Sequence, residues 1–427
     1  MRMSPVMRGM TLALAGLLLV LPACQQAKPD YNRPLPPGQG ALRLLRDPAQ
    51  WPDLRTAYEA RDRELEAALG RSIAWFDRPS TQGFFPPPQL DDITHQRAHV
   101  SAYAFRELLR QANSASAFER AIRDEFHCYT SVGYDDRGSV LYTGYFTPIF
   151  QGSRQRTERY RHPLYKRPDS LVTEPRTGRP LGRRTDDGEI VSWPPRAELE
   201  RSDLLDGLEL VYLPDKFDAY IIHINGSARI DLRNGETMYV GYAGKTDREY
   251  RGIGQALLDE GVFTPERLSL PAIRQYFTEN PHLQDRYINR NESYVFFTEY
   301  DGGNWPSGSI GVKVATKRTL ATDKSVFPRA GVVLVDTAIP TQGGGERRFT
   351  QFMLDQDTGG AIRAAGRADI YMGIGDNAET LAGRQFAEGR LYYFFLRPES
   401  VSAWRDRMEA DGHADASSGT SFSALRK

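Results

Sequence analysis

Short apolar runs, separated by turns rich in glycine and proline, fill the C-terminal part of this sequence. The runs that share this pattern lie at 312–315, 331–335, 348–354, 368–371 and 391–396. Many short strands at regular spacing, with turn residues between them, are typical of a β-barrel or a β-sandwich. The sequence therefore predicts a mainly β fold for this part of the chain.

Two carboxylates in that part lie on either side of a glycine- and arginine-bearing turn. Asp357 precedes Gly359 and Gly360, whose backbones can approach a ligand closely and offer N–H donors. Asp369 has an apolar residue on each side, and such flanks favour an acid that keeps its proton near neutral pH. We interpret the pair as a candidate catalytic site. An Asx turn before a glycine hairpin, with a surface aspartate on the next strand, is the alternative.

Residues 1–23 have the pattern of a lipoprotein signal peptide. Arg2 and Arg8 supply positive charge, and the uncharged run at 10–21 is too short to cross a bilayer, which takes about 20 helical residues. The Leu-Pro-Ala-Cys sequence that ends at Cys24 resembles a bacterial lipobox. It predicts cleavage before this cysteine and lipidation of it.

The lipidation predicted at Cys24 would anchor the chain stably, because several acyl chains hold a protein on a membrane where one does not. Gln25, rather than aspartate, follows, which predicts an outer-membrane lipoprotein facing the periplasm of a Gram-negative bacterium. With Cys24 acylated, Cys128 has no disulfide partner and is expected to be a buried structural thiol.

The charges of the chain balance. Lysine plus arginine and aspartate plus glutamate number 55 each. A balanced chain has no overall field to attract nucleic acid, so function must depend on local sites. No spaced cluster of cysteine or glutamate suggests zinc, and we predict neither a metal nor a cofactor.

Residues 24–45 are rich in proline, glutamine and glycine, which predicts a tether. Helical segments follow. One helical face carries apolar residues at Tyr58, Leu65, Leu69 and Ile73. A second helix is predicted at 100–109, and the capping-box form of Ser116-Ala-Phe-Glu119 predicts the start of a third.

The β-rich run at 141–148 places tyrosine beside glycine and threonine. This composition suits sugar binding, because aromatic faces stack on pyranose rings, although a strand with a glycine bulge is the alternative. The arginine-rich segment 154–167 is interpreted as a solvated loop, with contact to an anionic polymer as the alternative. Strand signals dominate 208–240, and His223 within them is interpreted as a hydrogen-bonded structural histidine.

Four motif groups occur in a characteristic order along the chain. They are Thr143-Gly-Tyr-Phe-Thr-Pro148, Asn225-Gly-Ser227, Tyr242-Ala-Gly-Lys245 with Tyr250-Arg-x-Ile-Gly254, and Asp357-Thr-Gly-Gly-Ala-Ile362 with Arg367-x-Asp-Ile-Tyr371. In this order the chain resembles the membrane-bound lytic murein transglycosylase A family from about residue 141 to residue 398. The last group also resembles the three-aspartate domain of some cell-wall and spore proteins, whose first aspartate would be Asp323.

The resemblance implies a double-psi β-barrel with N-terminal helices, formed by 46–147 and 303–400. It also implies an inserted second β-rich domain at 148–302, with a glycan groove between the two, and a polar tail is predicted at 401–427. The implied partners are the glycan strands of peptidoglycan, the membrane through the lipid anchor, and a complex of cell-wall synthesis or hydrolysis enzymes.

By the same resemblance, Asp369 is the single catalytic acid and base, and Asp357 is a supporting carboxylate. The residues implied to line the groove are Thr143, Gly144, Tyr145, Gly226, Ser227, Gly359 and Gly360. The chain departs from the family pattern at Asn225 and Ala228, which usually are glutamine and glycine, and at Ala364, commonly a glycine. These departures predict a shorter contact at Asn225 and less room for a sugar at Ala228.

The implied activity is exo- or endo-cleavage of the β-1,4 bond between N-acetylmuramic acid and N-acetylglucosamine, with formation of 1,6-anhydromuramoyl ends. Two alternatives remain open. One is an inverting glycoside hydrolase on the same barrel, in which Asp357 activates water. The other is a non-catalytic wall-binding protein like the expansins.

Overall fold

A computed structural model describes residues 29–175, 178–264 and 267–418, with side chains described as far as residue 412. The predicted signal peptide, the lipidation site at Cys24 and the end of the predicted tail lie outside these residues. None of the helices in the described ranges combines the length and the apolar character needed to cross a bilayer.

Helices precede the barrel, lie within the middle of the chain and close its end. Within the described ranges they are α1 (Leu54–Glu59), α2 (Arg63–Phe76), α3 (His95–Gln111), α4 (Ala115–Glu125), α5 (Arg196–Leu199), α6 (Lys216–Asn225), α7 (Ile253–Asp259), α8 (Leu270–Glu279), α9 (Gln284–Ile288), α10 (Asp376–Arg384) and α11 (Val401–Ser418).

Strands account for most of the remaining regular structure. They are β1 (Leu42–Leu44), β2 (Phe126–Ser131), β3 (Val140–Thr147), β4 (Ile149–Gly152), β5 (His162–Tyr165), β6 (Leu171–Thr173), β7 (Pro180–Arg184), β8 (Ile190–Val191), β9 (Glu209–Leu213), β10 (Ser227–Leu232), β11 (Thr237–Lys245), β12 (Val295–Tyr300), β13 (Thr319–Ala321), β14 (Val332–Pro340), β15 (Glu346–Asp357), β16 (Arg367–Ile374) and β17 (Phe386–Leu396).

The largest sheet has eight strands, and six of them close into a barrel. Its order is β17, β14, β15, β13, β16 and β3, and β3 pairs back onto β17. The β13–β15 and β16–β3 pairs are parallel, whereas the others are antiparallel. Strands β2 and β1 extend the sheet from β17. The mainly β prediction for this part of the chain is confirmed.

Helices α1 to α4 cover one side of the barrel through an aromatic core. Phe105 of α3 and Phe118 of α4 pack edge to face on Phe352 of β15, with ring centroids 4.9 and 5.7 Å apart. Burial of such large apolar side chains contributes about 1.5–3 kcal/mol each to folding. The helical segments therefore stabilise the barrel wall.

Smaller sheets occupy the middle of the chain. The largest has the order β12, β11, β10, β4, and it packs on α6 through a separate apolar core that includes Ile222, Ile230 and Val240. Strands β5 and β9 form one further sheet, and β6, β7 and β8 form another. β4 follows β3 directly, so the barrel and this region are joined next to the candidate site.

The strand predicted through His223 is wrong, because residues 216–225 form helix α6. The Asp215 side chain caps it by accepting hydrogen bonds from the N–H groups of Phe217 and Asp218, and Gly226 ends it with a φ of 72°. A short apolar run fits a helix or a strand equally well, and here the capping residues decide. His223 is nevertheless a buried, hydrogen-bonded histidine, as predicted.

Two further assignments differ from prediction. The run at 312–315 forms no strand, and only Lys313 makes an isolated bridge, to Ser307. The other four runs are confirmed within β14 to β17. Helix α4 begins two residues early because Ser114, not Ser116, accepts from the N–H of Ala117.

The chain joins the fold before the predicted end of the tether, and the predicted tail begins with a helix. Residues 42–44 form β1, paired with β2, and Ala41 is fully buried. Residues 401–418 form α11, whose Trp404 packs into the core beside α3. The arginine-rich segment is only partly a loop, because it contains β5 and because Arg154 pairs with Glu299.

Candidate active site

Asp357 and Asp369 are held in one row across three strands. Both pair in register with Ala321, the last residue of β13. Because neighbouring strands lie about 4.8 Å apart, the two aspartate backbones are about 10 Å apart on one face of the barrel. The two carboxylates that the sequence singled out are therefore brought to one site.

The apolar neighbours of Asp369 do not surround its carboxylate. Ala368 and Ile370 are fully buried, whereas 15% of the Asp369 side chain is exposed. Successive residues of a strand point to opposite faces, so the neighbours face the barrel interior while Asp369 faces outward. The interpretation from apolar flanks was wrong about what surrounds this acid.

Asp369 is held through one carboxylate oxygen. The hydroxyl of Thr143 donates to Oδ1, and the Nε atom of Arg367 lies 3.4 Å from the same oxygen. Arg367 also donates to Thr143 Oγ1 at 3.1 Å and to the Ala361 carbonyl at 3.2 Å. Among the described residues none donates to Oδ2, which is therefore left to meet a ligand.

Asp357 is held through both oxygens. Its Oδ2 accepts from the Tyr145 hydroxyl at 2.8 Å, and its Oδ1 accepts from the N–H groups of Ser309 and Thr358, each at 2.8 Å. Burial raises the pKa of Asp357 above its ordinary value, while these three hydrogen bonds act in the opposite direction. The two acids thus differ in environment: Asp357 is enclosed by donors, and Asp369 has a free oxygen.

The predicted groove residues of β3 face in two directions. The side chains of Thr143 and Tyr145 reach the two acids, as described above. Gly144 faces the other way, because a Cβ there would lie 2.7 Å from the Ala382 Cα and 3.1 Å from the Gln385 Cβ. This glycine therefore allows α10 to pack closely on β3, and only its backbone is available to a substrate.

Gly226 and Ser227 adjoin the site through a chain of side chains. Ser227 Oγ lies 3.5 Å from Thr147 Oγ1, which in turn lies 2.8 Å from the Tyr371 hydroxyl. The Tyr371 ring packs on Tyr145, with 5.1 Å between centroids. The α6–β10 junction is thereby placed beside the donors of Asp357.

Gly359 and Gly360 belong to the loop between β15 and β16. A Cβ on Gly360 would lie 3.7 Å from Tyr250 and 3.9 Å from the Lys245 Nζ atom. Burial, and then the charge of Arg363 on the same loop, lower the pKa of Lys245. Two motifs that are distant in sequence therefore converge over this loop.

The three residues that depart from the family pattern lie in different surroundings. Ala228 is fully buried in the core of the second sheet, so the prediction that it crowds a sugar is wrong. Asn225 Oδ1 accepts from the N–H of Phe146 at 3.4 Å and its Nδ2 donates to the Ile221 carbonyl, so it joins α6 to β3. Ala364 has a φ of 56°, in the left-handed region where glycine is more usual.

A buried ion pair supports the site from within the barrel. Lys324 Nζ donates to Asp355, which also accepts from Thr322 and Tyr393. Sequence reasoning missed Asp355, although its place two residues before Asp357 on the same strand was a usable signal. Asp323, the expected first aspartate, accepts from the N–H of Ala364 at 2.7 Å and so holds the loop between the two acids.

Groups of three or more histidine, cysteine, aspartate or glutamate side chains placed to bind a metal are absent from the part of the chain that the structure describes. Cys128 is buried there, and burial raises the pKa of its thiol.

Comparison with known proteins links this chain to one family. Residues 141–298 match the family described as the MltA specific insert domain, and 318–395 match the 3D domain. The chain is 30% identical over 327 residues to membrane-bound lytic murein transglycosylase A of Escherichia coli strain K12, covering 73% of this chain and 84% of that protein. The chain belongs to this family. The Vibrio cholerae family member is 30% identical over 277 residues, 64% of this chain and 69% of that protein.

Solved structures have the same fold. The membrane-bound lytic murein transglycosylase of Agrobacterium tumefaciens superposes with a TM-score of 0.68 at 24% identity, covering 85% of this chain and 99% of that one. E. coli MltA with bound chitohexaose superposes with a TM-score of 0.63 at 24% identity, covering 87% and 100%. At these identities the likeness concerns the fold of the family alone.

Proposed function

We propose that this chain is a lytic transglycosylase that cleaves the β-1,4 bond between N-acetylmuramic acid and N-acetylglucosamine in peptidoglycan and forms 1,6-anhydromuramoyl ends. Its family membership supports the activity. The observation that carries the mechanism is the asymmetry of the two acids, since only Asp369 has an oxygen without a donor among the described residues.

In the proposed reaction Asp369 acts twice. As an acid it gives its proton to the bridging oxygen, and the glycosidic bond breaks through an oxocarbenium-like state. As a carboxylate it then takes the proton from the C6 hydroxyl of the muramoyl sugar, whose oxygen closes onto C1. The proton count balances, because the acid is protonated again at the end, and water takes no part.

The supporting residues hold this geometry. Thr143 and Arg367 fix one oxygen of Asp369, so that Oδ2 faces the substrate. Asp357 with Tyr145 forms a negatively polarised wall near the developing positive charge. A sugar hydroxyl held close to C1 reacts at a high effective concentration, which replaces the second acid of ordinary glycosidases. Gly144, Gly226, Ser227, Gly359 and Gly360 are proposed to contact the glycan.

The finer architecture and location are part of the same proposal. The six-stranded closure with two parallel pairs supports a double-psi barrel, and 148–302 would be an inserted domain that forms the groove with it.

The description of relatives as membrane-bound supports lipid anchoring at Cys24 on the outer membrane and work within a wall enzyme complex. The Cys24→Ala variant should appear in the soluble fraction when cells are fractionated.

The product distinguishes lytic cleavage from its alternatives. Purified sacculi are digested in heavy-oxygen water, and the soluble fragments are analysed by mass spectrometry. Anhydromuramoyl ends without solvent oxygen support the proposal. A reducing end that carries solvent oxygen indicates the inverting hydrolase, and binding without release indicates a wall-binding protein.

One variant and its control test the role of Asp369 in the reaction. Asp369→Asn should release no fragments while its far-ultraviolet circular dichroism matches that of the wild type. Asp187→Asn removes an exposed carboxylate in the same way and should retain full activity. Normal turnover by Asp369→Asn would remove this residue from the mechanism.

A further inference from the structure

Phe386 is an exposed aromatic residue, and no packing role in the described part of the chain explains its exposure. It is the first residue of β17, and 67% of its surface is exposed. The other large apolar residues exposed in the described part of the chain range from 37% to 49%. A large aromatic side chain left in water commonly marks a binding surface.

The strand register places Phe386 on the face of the candidate active site. Phe386 pairs directly with Thr143 in the antiparallel β17–β3 ladder, and Thr143 pairs directly with Asp369 in the parallel β3–β16 ladder. Side chains of directly paired residues lie on the same face of a sheet. The contact between Thr143 and Asp369 identifies that face as the one that carries the acid.

The spacing of strands sets the distance between the two residues. Phe386 and Asp369 are separated by one intervening strand, so their backbones lie about 10 Å apart. Gln385 fixes the chain just before Phe386, because its buried amide donates to the carbonyls of Ala338 and Tyr142. The backbone that carries the exposed ring is thus held in place, one strand away from Thr143 and two from Asp369.

We propose that Phe386 is a stacking platform for an N-acetylated pyranose ring of the glycan strand, beyond the ring that carries the scissile oxygen. The proposal rests on the lytic transglycosylase function. An aromatic face excludes water from the apolar C–H face of a pyranose while the sugar hydroxyls remain solvated. The absence of charge on the ring fits a neutral sugar better than the carboxylates of a stem peptide.

The test is the dependence of affinity on chain length. Chitotetraose and chitohexaose are titrated calorimetrically into the wild type, Phe386→Ala, Phe386→Leu and Phe386→Trp. We expect the wild type to bind chitohexaose more tightly, and Phe386→Ala to lose about tenfold in chitohexaose affinity, or about 1.4 kcal/mol, with little change for chitotetraose. Phe386→Leu keeps the apolar bulk without a π face and should lose affinity similarly, whereas Phe386→Trp should preserve it.

A control variant and the activity on sacculi distinguish failure of the platform proposal from failure of the proposed function. Ile190→Ala removes another exposed apolar side chain, in β8, and should leave both affinities unchanged. Equal chitohexaose affinity in the wild type and in both Phe386→Ala and Phe386→Leu would overturn the platform. If the wild type releases no anhydro ends from sacculi, the proposed function fails. If it releases them but the variants retain the length dependence, only the platform fails.

Discussion

Arg367 and Asp369 lie two residues apart on the same face of β16, with 3.4 Å between Arg367 Nε and Asp369 Oδ1. The guanidinium is fixed by further bonds to Thr143 and to the Ala361 carbonyl. The guanidinium therefore ties Thr143 and the loop before β16 to the acid, so Arg367 should position the Asp369 carboxylate for the proposed reaction.

Replacement of Arg367 by methionine tests that positioning. Loss of the bonds to Thr143 and to the Ala361 carbonyl should lower kcat about tenfold with little change in KM, because the acid is no longer held while the remaining substrate contacts are kept. Arg367→Lys keeps the charge but not the fork of donors, and it should lower kcat similarly. Initial rates on sacculi over a range of substrate concentrations make the comparison. A wild-type kcat in Arg367→Met would show that Arg367 does not position the acid.

The hydrogen bond from Tyr145 to Asp357 can be tested by a double-mutant cycle. Tyr145→Phe removes one of three donors to Asp357 and should lower kcat/KM about tenfold, or about 1.4 kcal/mol, because bonds to charged groups contribute about 1.5–3 kcal/mol. The double variant with Asp357→Asn should be no slower than Asp357→Asn alone. Additive losses would mean that Tyr145 acts independently of Asp357.

The packing at Gly144 predicts opposite effects of one substitution at two glycines. Gly144→Ala should lower the free energy of unfolding by about 1–3 kcal/mol, because its Cβ would lie 2.7 Å from the backbone of Ala382. Gly70→Ala, in the interior of α2, has no atom within 4 Å and should raise stability by about 0.5–1 kcal/mol. Urea unfolding of both variants measures the difference. A stable Gly144→Ala protein would contradict the close contact.

His223 predicts a stability change in mild acid. Burial lowers its pKa well below the ordinary value of 6.5, and its Nδ1 accepts from the N–H of Val295 at 3.1 Å. Below pH 6.5 the unfolded chain binds a proton here that the folded chain does not, so unfolding becomes easier as pH falls. Above that pH neither state is protonated at this site and the effect vanishes.

The matched variant is His223→Gln, which keeps a hydrogen-bond acceptor but does not titrate. The free energy of unfolding of the wild type should fall relative to that of the variant by as much as about 1.4 kcal/mol per pH unit below 6.5. Four partly buried histidines whose pKa values are also lowered contribute equally to both proteins and cancel; they are His95, His99, His127 and His162. Parallel stability curves would show that His223 is not the responsible group.

Prediction from sequence succeeded where the signal is local. Four strands of the C-terminal part were recognisable from apolar runs between turn residues. It failed for α6, because an Ile-rich segment fits a helix or a strand until the caps at Asp215 and Gly226 are weighed. It also failed for residues 42–44, whose strand exists only because β2 is available to pair with it.

The sequence by itself determined the chemical groups and their family. It could not determine how Asp369 is held, because its partner Thr143 lies 226 residues away and meets it only when β3 and β16 pair in parallel. Closure of the barrel sets that register, and the same closure places Phe386 on the far side of Thr143 and leaves the apolar neighbours of Asp369 inside. Side-chain direction alternates along every strand, so only the tertiary pairing decides which groups share a face.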